Sequence, residues 1–303
     1  MCFHIFRGLT LASVILLSGC ASRGMPPIGP LEIQAEARSL LQQSAEVHGL
    51  SAFREITDIS VAYTGEWHGL VGKIQPTLVD PDFRQKSQER IILNPAPIVA
   101  QSHTGPKGRK QVVRTPDTIQ VHYNEVADSR ADVLDAAALV ADGYRMFLTG
   151  PFYFLDGNAG LSIVGAESVN GRPCQTLLVV RRPGHGNATE DRYLLFIDSE
   201  NHYLRRLRFT MEGLESTRGA IAEVDFFDHQ SIYGIVWPTR FYERLIKPIP
   251  NLPVHDWRLI GLDVNRGLSV ADVIGGAFSS KAAVPARAIG DAGRATEAKY
   301  SLG

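Results

Sequence analysis

The chain has 303 residues, 44% of them hydrophobic and 21% charged, with 31 Lys/Arg against 32 Asp/Glu. That length buries a sizeable core, while a formal charge of -1 without a large basic cluster excludes a general nucleic-acid binder. No long low-complexity linker divides residues 31–275, so a single domain is expected.

The first segment reads as an export address. Arg7 supplies a positive start, Leu9 to Leu17 form a short apolar run, and Leu17-Ser18-Gly19-Cys20 follows. The run is too short to span a bilayer comfortably, so residues 1–19 are expected to be a removed signal peptide. Leu-Ser-Gly-Cys resembles the lipobox of bacterial lipoproteins, which implies Cys20 as the lipid attachment site and a membrane-anchored chain from residue 20 onward. An ordinary secreted protein with a free Cys20 is the alternative. Ala21, rather than Asp, after the cysteine implies the outer membrane within the same resemblance. Cys2 leaves with the signal and Cys20 is acylated, so Cys174 has no partner for an internal disulfide.

Residues 20–30, with three prolines, read as a tether. Leu31 to His48 reads as a helix with Gly49 as its C-cap. Asp58 to Trp67 alternates as a strand, followed by strand candidates at Phe83–Leu93, Ile98–Gly105, Lys110–Arg114 and Thr118–Tyr123.

Ala131 to Gly150 is then a long helix, with Ser129 or Asp132 as its cap. Leu134, Ala138, Ala141 or Tyr144, and Leu148 make one stripe, and Val133, Val140 and Phe147 keep the other sides apolar. Such a helix belongs inside. Further strands are expected at Ser162–Val169, Cys174–Arg182, Tyr193–Asp198, Tyr203–Met211, Ile221–Asp228, Ile235–Lys247 and Val254–Val264, with Asn170-Gly171 as a two-residue hairpin turn. Ser269 to Gly275 is a last short helix, and residues 277–303, lacking any period, read as a disordered tail. The expected fold is mainly β: a curved, antiparallel, open half-barrel wrapped around the central helix, spanning residues 31–276.

Several stretches resemble the LolA/LolB-like superfamily of bacterial lipoprotein carriers and outer-membrane lipoprotein-sorting proteins. They are Gly171-Arg172-Pro173-Cys174, Tyr193 to Asp198, Leu204-Arg205-Arg206-Leu207, Asp225-Phe226-Phe227-Asp228, Gly234 to Pro238 and Asp263-Val264-Asn265. The resemblance covers about residues 31–275. It implies an apolar concave sheet that holds acyl chains beneath a helix.

Period-two arithmetic nominates Leu207, Phe209, Ala222, Val224 and Phe226 as inward-facing, opposite Leu134, Ala138 and Phe147. Arg205, Arg206 and Arg208 are expected to pair with Glu223 and Asp225 on a solvated face. The histidines are dispersed, with no metal-ligand spacing, and neither a phosphate-cradling glycine loop nor Gly-x-Ser-x-Gly is present. No cofactor, metal or catalytic residue is nominated, although a dispersed hydrolase triad leaves no sequence signature. The expected function is non-enzymatic binding of a lipid or acylated lipoprotein. The alternative is a structural or signalling lipoprotein that binds an envelope protein through a filled domain.

Overall fold

A computed structural model of the protein describes residues 24–26, 32–155 and 159–290. Cys20, most of the tether and residues 291–303 lie outside the described residues.

Helices α1 (Ala35–Val47) and α2 (Leu50–Arg54) precede strand β1 (Asp58–Trp67). Gly49 joins the helices with φ 95°, a left-handed residue just past the end of α1. An added Cβ there would lie 2.3 Å from the Gly234 carbonyl oxygen. Next come α3 (Gly69–Ile74), α4 (Pro76–Val79), β2 (Lys86–Ile92), β3 (Ile98–Gly105), β4 (Gly108–Arg114), β5 (Ile119–Tyr123) and β6 (Val126–Asp128). Helix α5 (Ala131–Thr149) is the long central one. After it run β7 (Ala159–Val169), β8 (Arg172–Arg181), β9 (Asp191–Asp198), β10 (Leu204–Thr210), β11 (Ile221–Phe227), β12 (Gln230–Ile232), β13 (Ile235–Trp237), β14 (Arg240–Lys247) and β15 (Leu252–Val264), then α6 (Val270–Val273) and α7 (Ser280–Ala283).

Among the described residues thirteen strands form one antiparallel sheet in the order β6-β5-β4-β3-β2-β1-β15-β14-β11-β10-β9-β8-β7. It is open, with β6 and β7 as its two edges. Helix α5 connects those edges, so it crosses the concave side. Register shifts at Ala62/Tyr63, Ile163/Gly165, Leu204/Arg206, Ile221/Ala222 and Glu243/Arg244 supply the bends that curl so wide a sheet. Asn170 and Gly171 take φ 50° and 79°, the positive pair that a two-residue hairpin requires. The core joins one flank of α1 to α5 and the inward residues of the sheet, from Ile59, Val61 and Tyr63 to Phe241 and Trp257.

Four expectations are corrected. Residues 69–79, assigned no structure from sequence, hold two short helices, and β2 begins at Lys86 rather than Phe83. Ile235–Lys247 is interrupted at Pro238-Thr239: β13 pairs with β12 in a separate ribbon, and only β14 enters the large sheet. Neither Ser129 nor Asp132 caps α5, whose N-cap position is Arg130 without a side-chain hydrogen bond.

The fourth concerns the tail. Residues 277–290 lie on the outer face of the sheet. Arg90 donates to the carbonyls of Ala282 (2.9 Å) and Val284 (2.8 Å), and Leu262 N donates to Arg287 O at 2.8 Å. Ala282 is fully buried. This segment docks through backbone carbonyls and small side chains, which is why it shows no hydrophobic period.

Candidate functional site: a cavity beneath the central helix

A cavity of about 260 Å³ opens at the end of the sheet where β1 finishes and β14 turns into β15. Helix α5 contributes Leu139, Val140, Gly143, Tyr144 and Phe147 to its wall. Phe209 and Ala222 face them from the paired strands β10 and β11, while Leu245 and Val254 come from β14 and β15. Val71, Ile74 and Leu78 of α3 and α4 complete one side, and Ile249 stands in the turn at the mouth.

Of the nominated lining, Phe147 and Phe209 border this cavity, their ring centroids 5.5 Å apart, and so does Ala222. Leu207 and Val224 share the inward face but are fully buried in close-packed core. Phe226 packs edge-on against Phe241 and borders only a gap of about 10 Å³ beside His48 and Phe147. Ala138 is fully buried and Leu134 half-buried on α5, neither at the cavity wall.

The polar corner of the cavity went unrecognised in the sequence. Arg84 is buried, and its guanidinium donates to Leu78 O (2.7 Å), Val79 O (3.3 Å) and Tyr144 Oη (2.7 Å). It lies 4.6 Å from the Trp67 ring centroid and 5.3 Å from that of Tyr144, stacking distances for a cation on aromatic faces. Trp67 Nε1 donates back to Arg84 O at 2.7 Å. Glu243 and His255 meet at 2.7 Å on the same wall.

Behind Arg84 the concave face changes character. Ser87 and Glu89 of β2, Gln101 and His103 of β3 and Lys110 of β4 lie in register on the inward side, and all are buried. Glu89 accepts hydrogen bonds from Ser87 Oγ (3.0 Å) and Gln101 Nε2 (3.1 Å). Burial outweighs these bonds and the nearby Arg84 charge, raising its carboxyl to about 7. Burial likewise holds the His103 imidazole well below its ordinary value. Asp80 accepts from Lys110 Nζ (2.8 Å) and Tyr123 Oη (2.6 Å). The interior is therefore apolar on the β10–β15 side, whereas the inward face of β2–β4 is polar at these five residues next to Arg84 and apolar at Ile91, Val99 and Val112 further along. Arg84 and Tyr144 stand at the boundary.

The expected pairs Arg206–Asp225 and Arg208–Glu223 form, and Arg244 bridges both carboxylates. They are not solvated, however: Arg208, Glu223 and Asp225 are buried. Cys174 is a buried free thiol on the outer face, pushed up to about 11 by burial. Among the described residues no group of three or more His, Cys, Asp or Glu could hold a metal ion. Nor is any described helix long and apolar enough to cross a membrane.

No family model matches the chain, and no curated protein matches it in sequence. Similarity to solved structures is limited to TM-scores below 0.5 among the following three. A LolA superfamily protein from Nitrosomonas europaea is 13% identical with a TM-score of 0.47, covering 76% of this chain and 93% of that one. A domain described as an outer membrane lipoprotein-sorting protein, from Vibrio parahaemolyticus, is 7% identical with a TM-score of 0.42, covering 78% and 96%. A DUF1329 family protein from Desulfovibrio piger is 14% identical with a TM-score of 0.40, covering 78% and 97%. What such a fold carries is decided by the site it encloses.

Proposed function

We propose that this LolA/LolB-like protein binds one acyl chain, of a lipid or an acylated protein, in the cavity beneath α5. It does so without chemistry, while an acyl group on Cys20 anchors it in the outer membrane with the domain facing the periplasm. The observation carrying this reading is the cavity itself, about 260 Å³ with a largely aliphatic and aromatic wall. An apolar cavity of about 150 Å³ holds benzene, so this one takes about ten carbons. Ten methylenes at about 0.8 kcal/mol each offer roughly 8 kcal/mol before ordering costs. That suffices for useful affinity without dedicated polar recognition.

Native mass spectrometry of the protein purified from cell envelopes tests the reading. Co-purified lipid, displaced by added fluorescent fatty acid, is the expected result. A ligand-free protein that takes up no fatty acid leaves the partner-binding alternative in its place.

A further inference from the structure

One polar side chain on the cavity wall is held by more bonds than packing alone requires. His185 stands in the loop between β8 and β9, at the end of the sheet where the cavity opens, and it borders the cavity while buried from solvent. Hydrogen bonds fix that loop residue by residue. Gly184 N donates to Ala188 O at 2.9 Å, His185 N to Asp191 Oδ2 at 3.1 Å, Gly186 N to Asp142 Oδ2 at 2.9 Å, and Asn187 Nδ2 to Asp135 Oδ1 at 2.6 Å. Asp135 and Asp142 belong to α5, so the loop is tied to the helix that covers the cavity. A Cβ at Gly184 would lie 2.4 Å from Asp191 Oδ2, and one at Gly213 would lie 2.7 Å from His185 O. Glycine lets both segments close around the histidine.

The ring is fixed as firmly as the loop. Nδ1 lies 2.9 Å from Asp191 Oδ2 and 3.0 Å from Tyr193 Oη, and Phe209 meets the ring edge-on at 5.6 Å between centroids. Asp191 is itself buried, and its other oxygen accepts from Thr210 Oγ1 (2.7 Å) and Glu212 N (3.2 Å), so the carboxylate cannot swing away. A carboxylate at Nδ1 keeps a proton there and leaves Nε2 as the nitrogen free to act. Nε2 has no partner among the described residues and, unlike the ring nitrogens of His103 and His229, is not sealed off by them. Polar atoms on the wall of an apolar cavity are few, and they orient what binds there.

The other polar groups on this wall are engaged. Arg84 donates to Leu78 O, Val79 O and Tyr144 Oη, Ser216 Oγ donates to Gln75 Oε1 at 2.9 Å, and Thr217 Oγ1 donates to Met211 O at 2.8 Å. Glu243 lies 2.7 Å from His255 Nε2. Arg84 Nε and His255 Nδ1 are unpartnered but sealed off from the cavity.

We propose that His185 Nε2 receives the polar head of the cargo and that this head is a free carboxylic acid, so that the cargo is an unesterified fatty acid. The inference rests on the reading that the cavity takes an acyl chain. A carboxyl group and an imidazole share one proton whichever of them holds it: the acid donates to neutral Nε2, or the carboxylate accepts from the imidazolium that Asp191 stabilises. The second form is charge-assisted, about twice as strong as a neutral hydrogen bond. An alcohol brings a proton without a charge, and an ester brings neither. Affinity comes from the chain along Gly143 and Phe147, and the head contact selects among chains of equal length.

The test compares four ligands of about ten carbons on the intact protein freed of lipid: decanoic acid, decanol, methyl decanoate and decylamine, each displacing a fluorescent naphthalene sulfonate. In the wild type decanoic acid is expected to bind at least about tenfold tighter than methyl decanoate, with decanol between them. His185→Phe keeps an aromatic ring against Phe209 and is expected to weaken the acid about tenfold while the ester stays within about twofold. Retained ester binding reports that the variant is folded and the cavity intact. His185→Gln, whose amide still donates to a carboxylate, is expected to recover part of the preference. Should the Phe variant not fold, the wild-type ranking and the Gln variant decide. Equal binding of acid and ester by the wild type, or an undiminished acid preference in a folded His185→Phe, overturns the inference and leaves the cavity reading standing. Decylamine bound tighter than decanoic acid moves the head to Glu243 and overturns it as well. A wild type that binds none of the four overturns the cavity reading, and the inference with it.

Discussion

Gly143 offers the sharpest test of whether the space beneath α5 is a binding site. It lies in the helix interior, borders the cavity, and a Cβ built on it meets nothing within 4 Å. Replacing Gly by Ala in a helix gains about 0.8–1 kcal/mol, because glycine loses more backbone freedom on folding. Gly143→Ala is therefore expected to raise Tm by about 2–4 °C. It removes room for one carbon, about 0.8 kcal/mol, so fatty-acid affinity falls only about fourfold. Gly143→Leu adds four carbons to the same space. Displacing four methylenes of ligand costs about 3 kcal/mol, roughly two orders of magnitude in Kd, while the helix gain keeps Tm at or above the wild-type value. Calorimetry and displacement of a fluorescent fatty acid read both quantities. A Leu variant that melts well below wild type would show that the space is closed core. One that is stable yet binds fatty acid as tightly as wild type would refute the assignment of the cavity.

Stability against pH separates two buried groups of opposite sign. The His48 imidazole is lowered by burial to about 4; its Nδ1 lies 3.0 Å from Val236 O and its Nε2 accepts from Leu204 N. Its native form binds fewer protons than the unfolded one, so stability is lost as pH falls from about 6.5 to about 4. Glu89, raised to about 7, acts in reverse: its native form holds the extra proton, and stability is lost as pH rises from about 4.5 to about 7. Glu89→Gln removes the second slope, so urea midpoints of the variant should climb more steeply between pH 4.5 and 6.5 than those of the wild type; parallel profiles would defeat the argument. Truncation after Gly276 exposes the Ala282 site and removes two acceptors of the buried Arg90 guanidinium. A loss of about 3 kcal/mol, or roughly 6–12 °C in Tm, is expected by scanning calorimetry, against no change for a loose tail. Cys20→Ser should abolish acyl labelling and leave a longer precursor, and normal labelling of that variant would dismiss the anchor.

Where alternation was strict and one face was apolar, the strands could be read from the sequence. Asp58–Trp67 and Ile98–Gly105 are found at the bounds the pattern indicates, and Asn170-Gly171 turns as its chemistry requires. Helices of six and four residues are too short to show a period, so α3 and α4, which wall the cavity, were illegible. Period two names a face but not a depth. Phe209 and Ala222 pair at the mouth end of β10 and β11 and meet open space, whereas Leu207 and Val224 pair one repeat deeper and meet packed core. Nor does it say which face is inside. Gln101 and His103 resemble a solvated strand face, yet they lie under α5 because the opposite face of β2 is covered by the C-terminal segment.

That division of the interior also limits the cargo. A three-chain lipoprotein anchor carries several times the roughly ten carbons the cavity takes. The added chains would have to run across the inward face of β2–β4. There they would displace or desolvate Ser87, Glu89, Gln101 and His103, and stranding a buried polar group without a partner costs about 1–3 kcal/mol each. Four such groups cancel at least about half of what a second ten-carbon chain gains by burial, before any ordering cost. Arg84 adds a physical stop, since its guanidinium is fastened at once to α4 carbonyls, Tyr144 and the Trp67 ring. On the proposed reading the preferred cargo is therefore a single-chain amphiphile. In a competition series, a fatty acid of about ten carbons should occupy the cavity as tightly as a two-chain phospholipid or tighter. A preference of more than about tenfold for the two-chain lipid would mean that the polar half opens, and would move the site across the Arg84 boundary.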